Sequence, residues 1–456
     1  MVWINIYKKV PVAMTIAGSD SGGGAGIEAD LKAFAALGVH GTVALTAITA
    51  QNTTAVTGVQ DVELELIRKQ IRAVAEDIGI DAAKTGMLHT SDIIETVASE
   101  VKKLGFPLVV DPVMIAKSGA ELLKPEAMRS LIEVLLPIAK VVTPNIPEAE
   151  KIAGIKIRSL EDQKKAALKI SELGPYAVIV KGGHLISDEK SVDVLYLDGE
   201  YYLFETERIE SKNTHGTGCG FSAAITAGLA KGYNIIDAVR EAKKLITAAI
   251  RYGIPVGRGH GPINPLALLY KESERYNTLR SVMQALLIIE NSNETYKIVP
   301  EVGLNIAEAT PYADNLSDVA AIPGRVRRAG KRVKAAFAPE FGASSHLARY
   351  ILNIMEYDPM KRAAINIKYD ERILEKLKET DLIISYYDRS KEPPEIKRKE
   401  GATIPWGVKE AIRNCGGKVP DIIYHRGDVG KEPMIVILST DAVTAAKLVS
   451  KIAKMI

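Results

Sequence analysis

Two glycine-rich segments in the first half of the chain have the composition of anion-binding loops. The first is Ala17-Gly-Ser-Asp-Ser-Gly-Gly-Gly-Ala-Gly26, and the second is Asn213-Thr-His-Gly-Thr-Gly-Cys-Gly220. Each precedes a helical pattern, and the unpaired N–H groups and dipole of a helix N-terminus favour an anion. Neither the dinucleotide fingerprint G-x-G-x-x-G nor a Walker loop fits the first segment. A plain turn and a glycine-rich helix cap are the structural alternatives for the two segments.

The second half of the chain carries a different set of chemically capable residues. Arginine and lysine are concentrated between Ile322 and Lys334, where anion capture and a solvated basic face are equally good interpretations. Ala338–His346 has the composition of a turn that opens a helix, with Ser344 or Ser345 able to cap it. Charged residues around Tyr387–Arg389 and Asp421–Pro433 follow apolar runs, at the strand ends and loops where sites tend to lie.

The elements that must position the first two segments alternate between strands and helices up to about Pro265. Short apolar runs predict strands and amphipathic stretches predict helices, so we expect a mostly parallel sheet between helices. Leu-Asp-Gly-Glu within Tyr196–Phe204 predicts a hairpin at one edge. The predicted strands are Val12–Ala17, Val43–Ile48, Ala82–Lys84, Leu108–Val110, Val141–Val142 and Ala177–Val180; the predicted helices are Glu28–Ala36, Leu64–Glu76, Ser91–Lys103, Lys124–Leu136 and Ser159–Leu173.

A second α/β domain is predicted from the different pattern that follows. Leu266–Ile289 is helical in pattern and bridges into this material, with the domain boundary near residue 270. The predicted strands are Ala335–Phe337, Ala364–Ile367, Leu382–Tyr386 and Met434–Leu438; the predicted helices are Ser345–Met355, Glu371–Glu379, Gly407–Asn414 and Asp441–Ile456. We divide the chain into a first domain over 1–268, a helical linker over 269–289 and a second domain over 290–456.

Composition excludes several classes of protein. The 456 residues carry a net charge of only +3, which does not indicate a nucleic-acid or membrane-surface binder. Two cysteines cannot form a disulfide framework. The N-terminus lacks the apolar core of a signal peptide, and no apolar run approaches the roughly 18 residues of a membrane span. These features predict a cytoplasmic enzyme.

Seven motifs of the first domain resemble the ribokinase superfamily, and specifically the hydroxymethylpyrimidine/phosphomethylpyrimidine kinases. The order and approximate spacing of the motifs agree with that family from Pro11 to Pro265. Beside the second glycine segment, they are Ala17–Lys32, Thr49-Ala-Gln-Asn-Thr53, Lys84-Thr-Gly-Met-Leu88, Asp111-Pro-Val-Met-Ile-Ala-Lys-Ser-Gly119, Thr143-Pro-Asn-Ile-Pro-Glu-Ala149 and Lys181-Gly-Gly-His184. The resemblance implies a ribokinase-like α/β/α sandwich that transfers phosphate from ATP with Mg²⁺.

The resemblance also implies roles for individual residues of the first domain. Asp30 and Gln51 would bind the aminopyrimidine, and Gly18 and Met87 would line its pocket. The ATP and Mg²⁺ region would contain Asn145, Glu148, Lys181 and Asp111, without a dedicated metal cage. The amides of Gly216, Gly218 and Cys219 would form the anion hole, with Cys219 placed near the substrate hydroxyl. A helix N-terminus should lower the pKa of Cys219 and phosphates should raise it. His184 and His215 are expected to touch ligand or to order loops.

The second domain resembles the archaeal-type thiamine-phosphate synthase domain from about Glu290 to Ile456. That family has a three-layer α/β/α sandwich with a mixed, largely antiparallel sheet. It joins the pyrimidine diphosphate to hydroxyethylthiazole phosphate and releases pyrophosphate, for which arginine forks and Mg²⁺ are suited. Arg325 would bind the diphosphate, and His346 would bind a phosphate or act as an acid on the leaving group. Asp388, Arg389, Asp428 and Lys431 are secondary candidates.

We therefore predict a bifunctional enzyme of thiamine biosynthesis that acts on small molecules and forms a homodimer. Its kinase would phosphorylate 4-amino-5-hydroxymethyl-2-methylpyrimidine and its monophosphate, and its second domain would make thiamine phosphate. One alternative is a pyridoxal or pyridoxine kinase, against which Cys219 and Gln51 argue. Another is a second domain that senses thiamine phosphate without catalysis, against which the presence of both Arg325 and His346 argues.

Overall fold

The computed structural model describes residues 10–115, 119, 122–183, 190–428 and 430–456. The chain divides into two compact units, Met1–Leu268 and Leu269–Ile456. His184 and part of the Asp111–Gly119 motif lie outside the described residues, so the predictions for them stay predictions. No helix within the described ranges is long and apolar enough to cross a membrane.

The first unit is built on one sheet with the strand order β3-β2-β1-β4-β5-β6-β7-β8-β9. Its strands are β1 (Val12–Asp20), β2 (His40–Gln51), β3 (Val56–Asp61), β4 (Ala82–Thr85), β5 (Leu108–Val110), β6 (Val141–Val142), β7 (Ala177–Val180), β8 (Lys190–Leu197) and β9 (Glu200–Glu207). The six strands β2, β1, β4, β5, β6 and β7 run parallel to one another, whereas β3, β8 and β9 are antiparallel additions at the two edges. The carboxyl ends of the parallel strands therefore meet along one edge of the sheet.

Helices cover both faces of this sheet. They are α1 (Gly26–Ala36), α2 (Leu64–Asp77), α3 (Ser91–Leu104), α4 (Ala127–Ser130), α5 (Ile146–Ala153), α6 (Leu160–Ser171), α7 (Thr217–Ala230) and α8 (Ile235–Arg251). One core packs α2, α3, α5 and α6 against the sheet, and another packs α1, α7 and α8 against its opposite face. The ribokinase-like three-layer arrangement with a mostly parallel sheet is confirmed. The predicted hairpin is present and turns through Asp198 and Gly199, whose φ angles are 50° and 84°.

The second unit has a mixed sheet in which antiparallel pairs predominate. Its strands are β10 (Ile306–Ala309), β11 (Val319–Ala321), β12 (Val326–Ala329), β13 (Arg332–Ala335), β14 (Glu340–Phe341), β15 (Ala363–Lys368), β16 (Ile384–Tyr386), β17 (Ile422–His425) and β18 (Met434–Ser439). The order in the main sheet is β14-β11-β10-β15-β18-β17-β16, and β12 and β13 form a separate hairpin. Only the β16–β17 pair is parallel among the described pairs of the main sheet. The predicted sheet type is confirmed.

Helices on the two faces complete the second unit. α9 (Ala267–Ser273) spans the division between the units, and the helices of the second unit are α10 (Arg275–Asn291), α11 (Ser345–Met355), α12 (Glu371–Lys378), α13 (Pro394–Arg398), α14 (Thr403–Asn414) and α15 (Ala442–Met455). One core contains α10, α12 and α15, and the other contains α11 and α14. The segment predicted as a linker is not a free connection, because Val282, Ala285 and Ile289 of α10 are fully buried in the second core.

Candidate functional site

A cavity of about 820 Å³ lies in the first unit, where the parallel strands end. Ligands bind at this edge of open α/β sheets because the loops that follow the strands diverge there. The cavity collects residues at or just beyond the carboxyl ends of β1, β2, β4, β5, β6 and β7, together with the first turn of α7. Of the predicted site residues, those that line it are Gly18, Gln51, Met87, Asp111, Asn145, Glu148, Lys181, Gly216, Gly218 and Cys219.

The two glycine segments form one continuous wall of the cavity. Gly216 caps α7 with a φ of 83°, a left-handed conformation that favours glycine. A Cβ at Gly216 would lie only 1.9 Å from the carbonyl oxygen of Gly24, so the two backbones touch. Both the φ angle and the contact therefore require glycine at position 216. The free N–H groups at the start of α7 point from this wall toward any bound anion.

His215 joins the same two segments through its side chain. Its Nε2 lies 2.9 Å from Oδ2 of Asp20 and 3.2 Å from the Gln51 amide group. Asp20 also accepts hydrogen bonds from the backbone N–H groups of Gly22, Gly24 and Ala25. Burial alone would raise the pKa of Asp20, but the bonds from His215 and these amides hold it below its usual value. His215 thus orders loops, which is one of the two roles predicted for it.

The orientation of Gln51 follows from this arrangement. A carboxylate only accepts, so Nε2 of His215 carries the hydrogen that it donates to Asp20. The contact between His215 and Gln51 is satisfied only if the amide oxygen of Gln51 faces the ring. Its NH₂ group can then serve an acceptor atom in the cavity or Oγ1 of Thr49, 3.4 Å from the other amide position.

Acidic and basic side chains that follow β5, β6 and β7 cluster in another part of the cavity lining. Lys181 Nζ lies 3.0 Å from Oδ1 of Asp111, and Thr143 donates to the same oxygen at 3.2 Å. Burial raises the pKa of Glu148, the charge of Lys181 opposes this effect and that of Asp111 adds to it, so that the resulting pKa is about 7. Asn145 and Glu148 also form a capping box at the start of α5, which fixes both side chains.

These oxygen donors fit the coordination preferences of Mg²⁺ carried by a nucleotide. Carboxylates are its preferred protein ligands, usually one or two of them with water and phosphate oxygens. Asp111 and Glu148 supply two carboxylates beside one lysine. In the described part of the chain, no group of three or more His, Cys, Asp or Glu side chains is arranged to hold a metal ion by itself.

Cys219 lies in the first turn of α7 and is partly accessible from the cavity. Burial raises the pKa of its thiol to about 12, although the nearby Lys84 ammonium lowers it and a hydrogen bond from Gly26 acts in the same direction. Burial has the largest effect on this pKa and outweighs the opposing effects of Lys84 and Gly26. The free protein therefore holds a neutral thiol, which donates rather than accepts a proton at this position.

The predicted contact between Asp30 and the pyrimidine is wrong. Asp30 is fully buried in α1 and does not line the cavity. Both of its carboxylate oxygens lie 3.0 Å from Nζ of Lys84, and Thr15 donates to one of them at 2.7 Å. A lysine in the middle of a buried strand needs such a partner, so the sequence contained a signal for this ion pair that we did not use.

In the second unit, Arg325 lies close enough to His346 for its charge to act on that ring. Arg325 has a φ of 66°, and its Nη1 donates to the carbonyl of Val302 at 2.9 Å. Burial and, as smaller contributions, the positive charges of Arg325, Arg389 and Arg349 together lower the pKa of His346 to about 4. His346 is therefore neutral in the free protein. It can donate a hydrogen bond to a phosphate, but without a bound anion it is not the protonated acid that we predicted.

The secondary candidates divide into two groups. Arg389 approaches His346 and His425, a buried residue that the sequence interpretation had not assigned to the site. Asp388 instead caps the short turn Arg389–Lys391, and Asp428 pairs with Lys397 at 2.8 Å. The basic run from Ile322 folds into the β12–β13 hairpin, on which Arg327, Arg328 and Arg332 are exposed, as expected for a solvated face.

Comparison with known proteins decides the family. Residues 20–264 match the family model for phosphomethylpyrimidine kinase. The chain belongs to the phosphomethylpyrimidine kinase family. Residues 281–451 match the thiamine-phosphate synthase ThiN, so this family member is a thiamine-biosynthesis kinase fused to a thiamine-phosphate synthase domain.

Relatives of this family member agree with the assignment of its first unit. It is 49% identical over 266 residues to the hydroxymethylpyrimidine/phosphomethylpyrimidine kinase of Bacillus subtilis, a match that covers 58% of this chain and 96% of that protein. It is 48% identical to the thiamine biosynthesis bifunctional protein of Geobacter sulfurreducens, over 55% of this chain and 51% of that protein. The ADP complex of Bacillus subtilis pyridoxal kinase is similar in structure, with a TM-score of 0.54 and 43% identity over 57% of this chain and 99% of that chain.

Proposed function

We propose that the first unit phosphorylates 4-amino-5-hydroxymethyl-2-methylpyrimidine and then its monophosphate, with ATP and Mg²⁺. The proposal is supported by a single cavity that has two kinds of lining. Gln51 and Met87 line one part of it. The other part is lined by the Gly216–Cys219 amides and by the side chains of Asp111, Glu148 and Lys181. A small polar ring and a triphosphate need these two kinds of lining. A solved relative of the same fold was complexed with ADP.

The proposed transfer follows from the placement of these groups. The substrate hydroxyl oxygen attacks the γ-phosphorus, the bond to the β,γ-bridging oxygen breaks, and ADP leaves with that electron pair. Such transition states are loose, so positioning and charge stabilisation contribute most of the catalysis. The amides of Gly216, Gly218 and Cys219 bind the transferring phosphoryl oxygens, and Lys181 neutralises phosphate charge. Mg²⁺ held on the phosphates, with Asp111 and Glu148 nearby, would neutralise more of that charge when bound.

The thiol of Cys219 has a positioning contact with the hydroxyl in this proposal. Because the thiol is protonated, it does not accept the hydroxyl proton in the free protein. The proton leaves late and ends on the transferred phosphate.

We propose that the second unit joins the resulting diphosphate to hydroxyethylthiazole phosphate. The thiazole nitrogen forms a bond to the methylene carbon of the pyrimidine, the bond from that carbon to the diphosphate oxygen breaks, and pyrophosphate leaves with the electron pair. The grouping of Arg325, Arg349 and Arg389 around His346 supports this proposal, since the leaving group is a polyanion.

Two assays on the full chain test the two reactions separately. With ATP and Mg²⁺, we expect the hydroxymethylpyrimidine to give the monophosphate and then the diphosphate, with a higher kcat/KM than pyridoxal; a preference for pyridoxal would contradict the kinase proposal. With preformed pyrimidine diphosphate and thiazole phosphate, we expect thiamine phosphate. Tight binding of thiamine phosphate without any product would instead indicate a sensing domain.

We also propose that the protein is a homodimer. Beside the family resemblance, the outermost pair of strands in the first sheet supports a second copy: Ile48 and Val59 are 53% and 39% exposed on β2 and β3. Such exposed apolar residues beside a free sheet edge favour association. Sedimentation at several concentrations should give twice the chain mass, and a monomer at all of them would contradict the proposal.

A further inference from the structure

Three buried nitrogen atoms in the second unit have no hydrogen-bond partner among the described residues. They are Nε2 of His346, Nε of Arg389 and Nε2 of His425. His346 lies in the first turn of α11, Arg389 follows β16, and His425 is the last residue of β17. Buried polar groups are nearly always paired, so three unpaired nitrogens in one region need an explanation.

The topology places these residues together at one end of two neighbouring strands. Tyr386 of β16 is paired with Tyr424 of the parallel strand β17, so the residues that follow them emerge side by side. The ring of Tyr387 lies 5.2 Å from that of His425, and its hydroxyl lies 2.7 Å from that of Tyr350. The ring of His346 packs against Tyr350 at 5.4 Å. The two tyrosines thus form an apolar floor beneath the two histidines.

The hydrogen on His425 can be assigned from its contacts. Nδ1 accepts a hydrogen bond from the backbone N–H of Gly427 at 3.2 Å, so it carries no hydrogen. The neutral ring then bears its hydrogen on Nε2. His425 is only 3% exposed, and this Nε2–H is one of the unpartnered groups. The same holds for the Nε–H of Arg389, because guanidinium nitrogens only donate. Both groups need an acceptor.

The charges around the two histidines are mostly positive. Arg325, Arg349 and Arg389 act on His346, and Arg389 also acts on His425. Glu392 is the carboxylate nearest to Arg389, at 3.8 Å from its Nη2. The other side of Glu392 is occupied by the hydroxyl of Thr403, 2.5 Å away. The missing acceptor is therefore expected to be an anion with several oxygen atoms.

We propose that His425 and Arg389 act with His346 as the binding site for the leaving diphosphate in the synthase reaction. This inference rests on the proposed function for the identity of the anion. The Nε2–H of His425 and the Nε–H of Arg389 donate to diphosphate oxygens, and the tyrosine floor fixes the ring of His425. His425 is thus a further binding residue for the reaction.

Product inhibition by inorganic pyrophosphate tests this site in the full chain. His425→Leu removes the donor and keeps an apolar side chain, whereas His425→Gln retains an N–H near the position of Nε2. We expect His425→Leu to raise the inhibition constant for pyrophosphate and the KM for pyrimidine diphosphate by about tenfold or more, the effect of losing one hydrogen bond to a charged group. The KM for thiazole phosphate should change less than twofold, and His425→Gln should recover most of the loss.

Matched controls separate this site from a general loss of charge or fold. Arg426→Gln removes a positive charge one residue away, but that arginine is exposed and bound to Glu371 and Tyr369, so pyrophosphate inhibition should stay as in the wild type. If His425→Leu does not fold, Arg389→Met provides the same measurement. Unchanged pyrophosphate inhibition in a folded His425→Leu or Arg389→Met variant would overturn the proposal.

Direct titration with inorganic pyrophosphate distinguishes failure of this site from failure of the proposed synthase reaction. The wild type and His425→Leu contain the same kinase unit, so the difference between their calorimetric titrations reports the second unit. A binding difference without any thiamine phosphate formation would support the anion site and reject catalysis. The absence of a binding difference would overturn the anion site, whether or not product forms.

Discussion

Single residues decide the chemistry of the first unit, and Cys219 is the most sharply placed of them. Its thiol is held neutral beside the amides that start α7. We expect Cys219→Ala to reduce kinase turnover by about a hundredfold or more, in the range found for groups that stabilise a transition state, with little change in ATP binding. The control is Cys415→Ala, which removes the other cysteine, in the second unit. Turnover at the wild-type rate would contradict a role for the thiol.

Protonation of Glu148 should reduce kinase activity as the pH falls below neutral, which gives the pH profile of kcat/KM an acid limb. Its pKa is raised to about 7 by burial, so it becomes protonated as the pH falls through that value. We expect kcat/KM to fall below about pH 7, because kcat/KM reports groups of the free enzyme. Glu148→Gln keeps an acceptor for the capping bond from Asn145 but fixes the neutral form. It should lose about tenfold or more in kcat/KM at pH 8 and show no inflection near pH 7. If Glu148→Gln still shows the inflection near pH 7, another group causes the fall in kcat/KM.

At the scale of the elements, the ion pair between Lys84 and Asp30 ties β4 to α1 in the interior of the first unit. Both side chains are 0% exposed. Lys84→Met leaves the Asp30 carboxylate without its cation and should cost about 3–5 kcal/mol of unfolding free energy. The double variant Lys84→Met/Asp30→Asn should recover part of it, because the uncompensated charge is removed. Urea unfolding measures both values, and additive losses in the double variant would show that the pair is not coupled.

The two buried histidines should make the second unit sensitive to acid. Burial lowers the pKa of His346 to about 4 and that of His425 to about 3, against about 6.5 in an unfolded chain. The unfolded state therefore binds protons first. The stability contributed by the neutral rings is complete above about pH 6.5 and is lost as the pH falls toward 4 and 3. Each ring contributes a slope of up to about 1.4 kcal/mol per pH unit in that window.

His425→Gln tests this dependence, since the amide does not titrate. The variant should show a smaller fall in unfolding free energy between pH 6.5 and pH 4 than the wild type, by urea titration at each pH. A bound anion at the same place should also reduce the fall. Equal slopes in the two proteins would mean that His425 is already protonated in the folded state.

Much of the architecture could be predicted because buried parallel strands are apolar on both faces, as in Val141–Val142 and Ala177–Val180. Other elements were missed for identifiable reasons. Helix α5 begins at Ile146 and contains Pro147 in its first turn, where proline is tolerated, although in a sequence proline usually indicates the end of a helix. Strand β3 is almost entirely exposed and contains Gly58, so it lacks an apolar pattern.

The site was predictable where a motif faces a ligand and unpredictable where a residue faces the interior. Gln51, Lys181 and Cys219 line the cavity as expected, whereas Asp30 points away from it to Lys84. Spacing along α1 does not reveal which face of the helix meets the cavity. His425 lies in the Asp421–Pro433 segment, where sites were expected, but it was not singled out because its unpaired nitrogen is visible only in three dimensions.

At the scale of the whole molecule, each reaction should depend on one unit. Gly216→Ala would place a Cβ 1.9 Å from the Gly24 carbonyl and force a non-glycine residue into a φ of 83°. We expect loss of most kinase activity, while synthesis of thiamine phosphate from preformed diphosphate continues at the wild-type rate. Gly232→Ala, also at positive φ but with open space around it, is the matched control. Parallel loss of both activities would show that the units do not function separately.

The burial of α10 defines where the chain should be cut for such work. A fragment that starts at residue 280 would remove the first turn of α10, whose later residues pack in the core of the second unit. The division between the units falls after Leu268, inside α9. A fragment that starts at Ala267 keeps that helix whole, and we regard it as the appropriate one for separate expression.

The contact that His215 makes with Asp20 joins residues 195 positions apart. A nascent chain therefore exposes its first glycine loop long before the loop's partner has been synthesised. Until the second glycine segment has emerged, followed by residue 261, whose carbonyl accepts the backbone N–H of His215, the cavity wall that the two segments form is incomplete. Nucleotide affinity should accordingly appear late in synthesis, as nearly the last property that the first unit acquires.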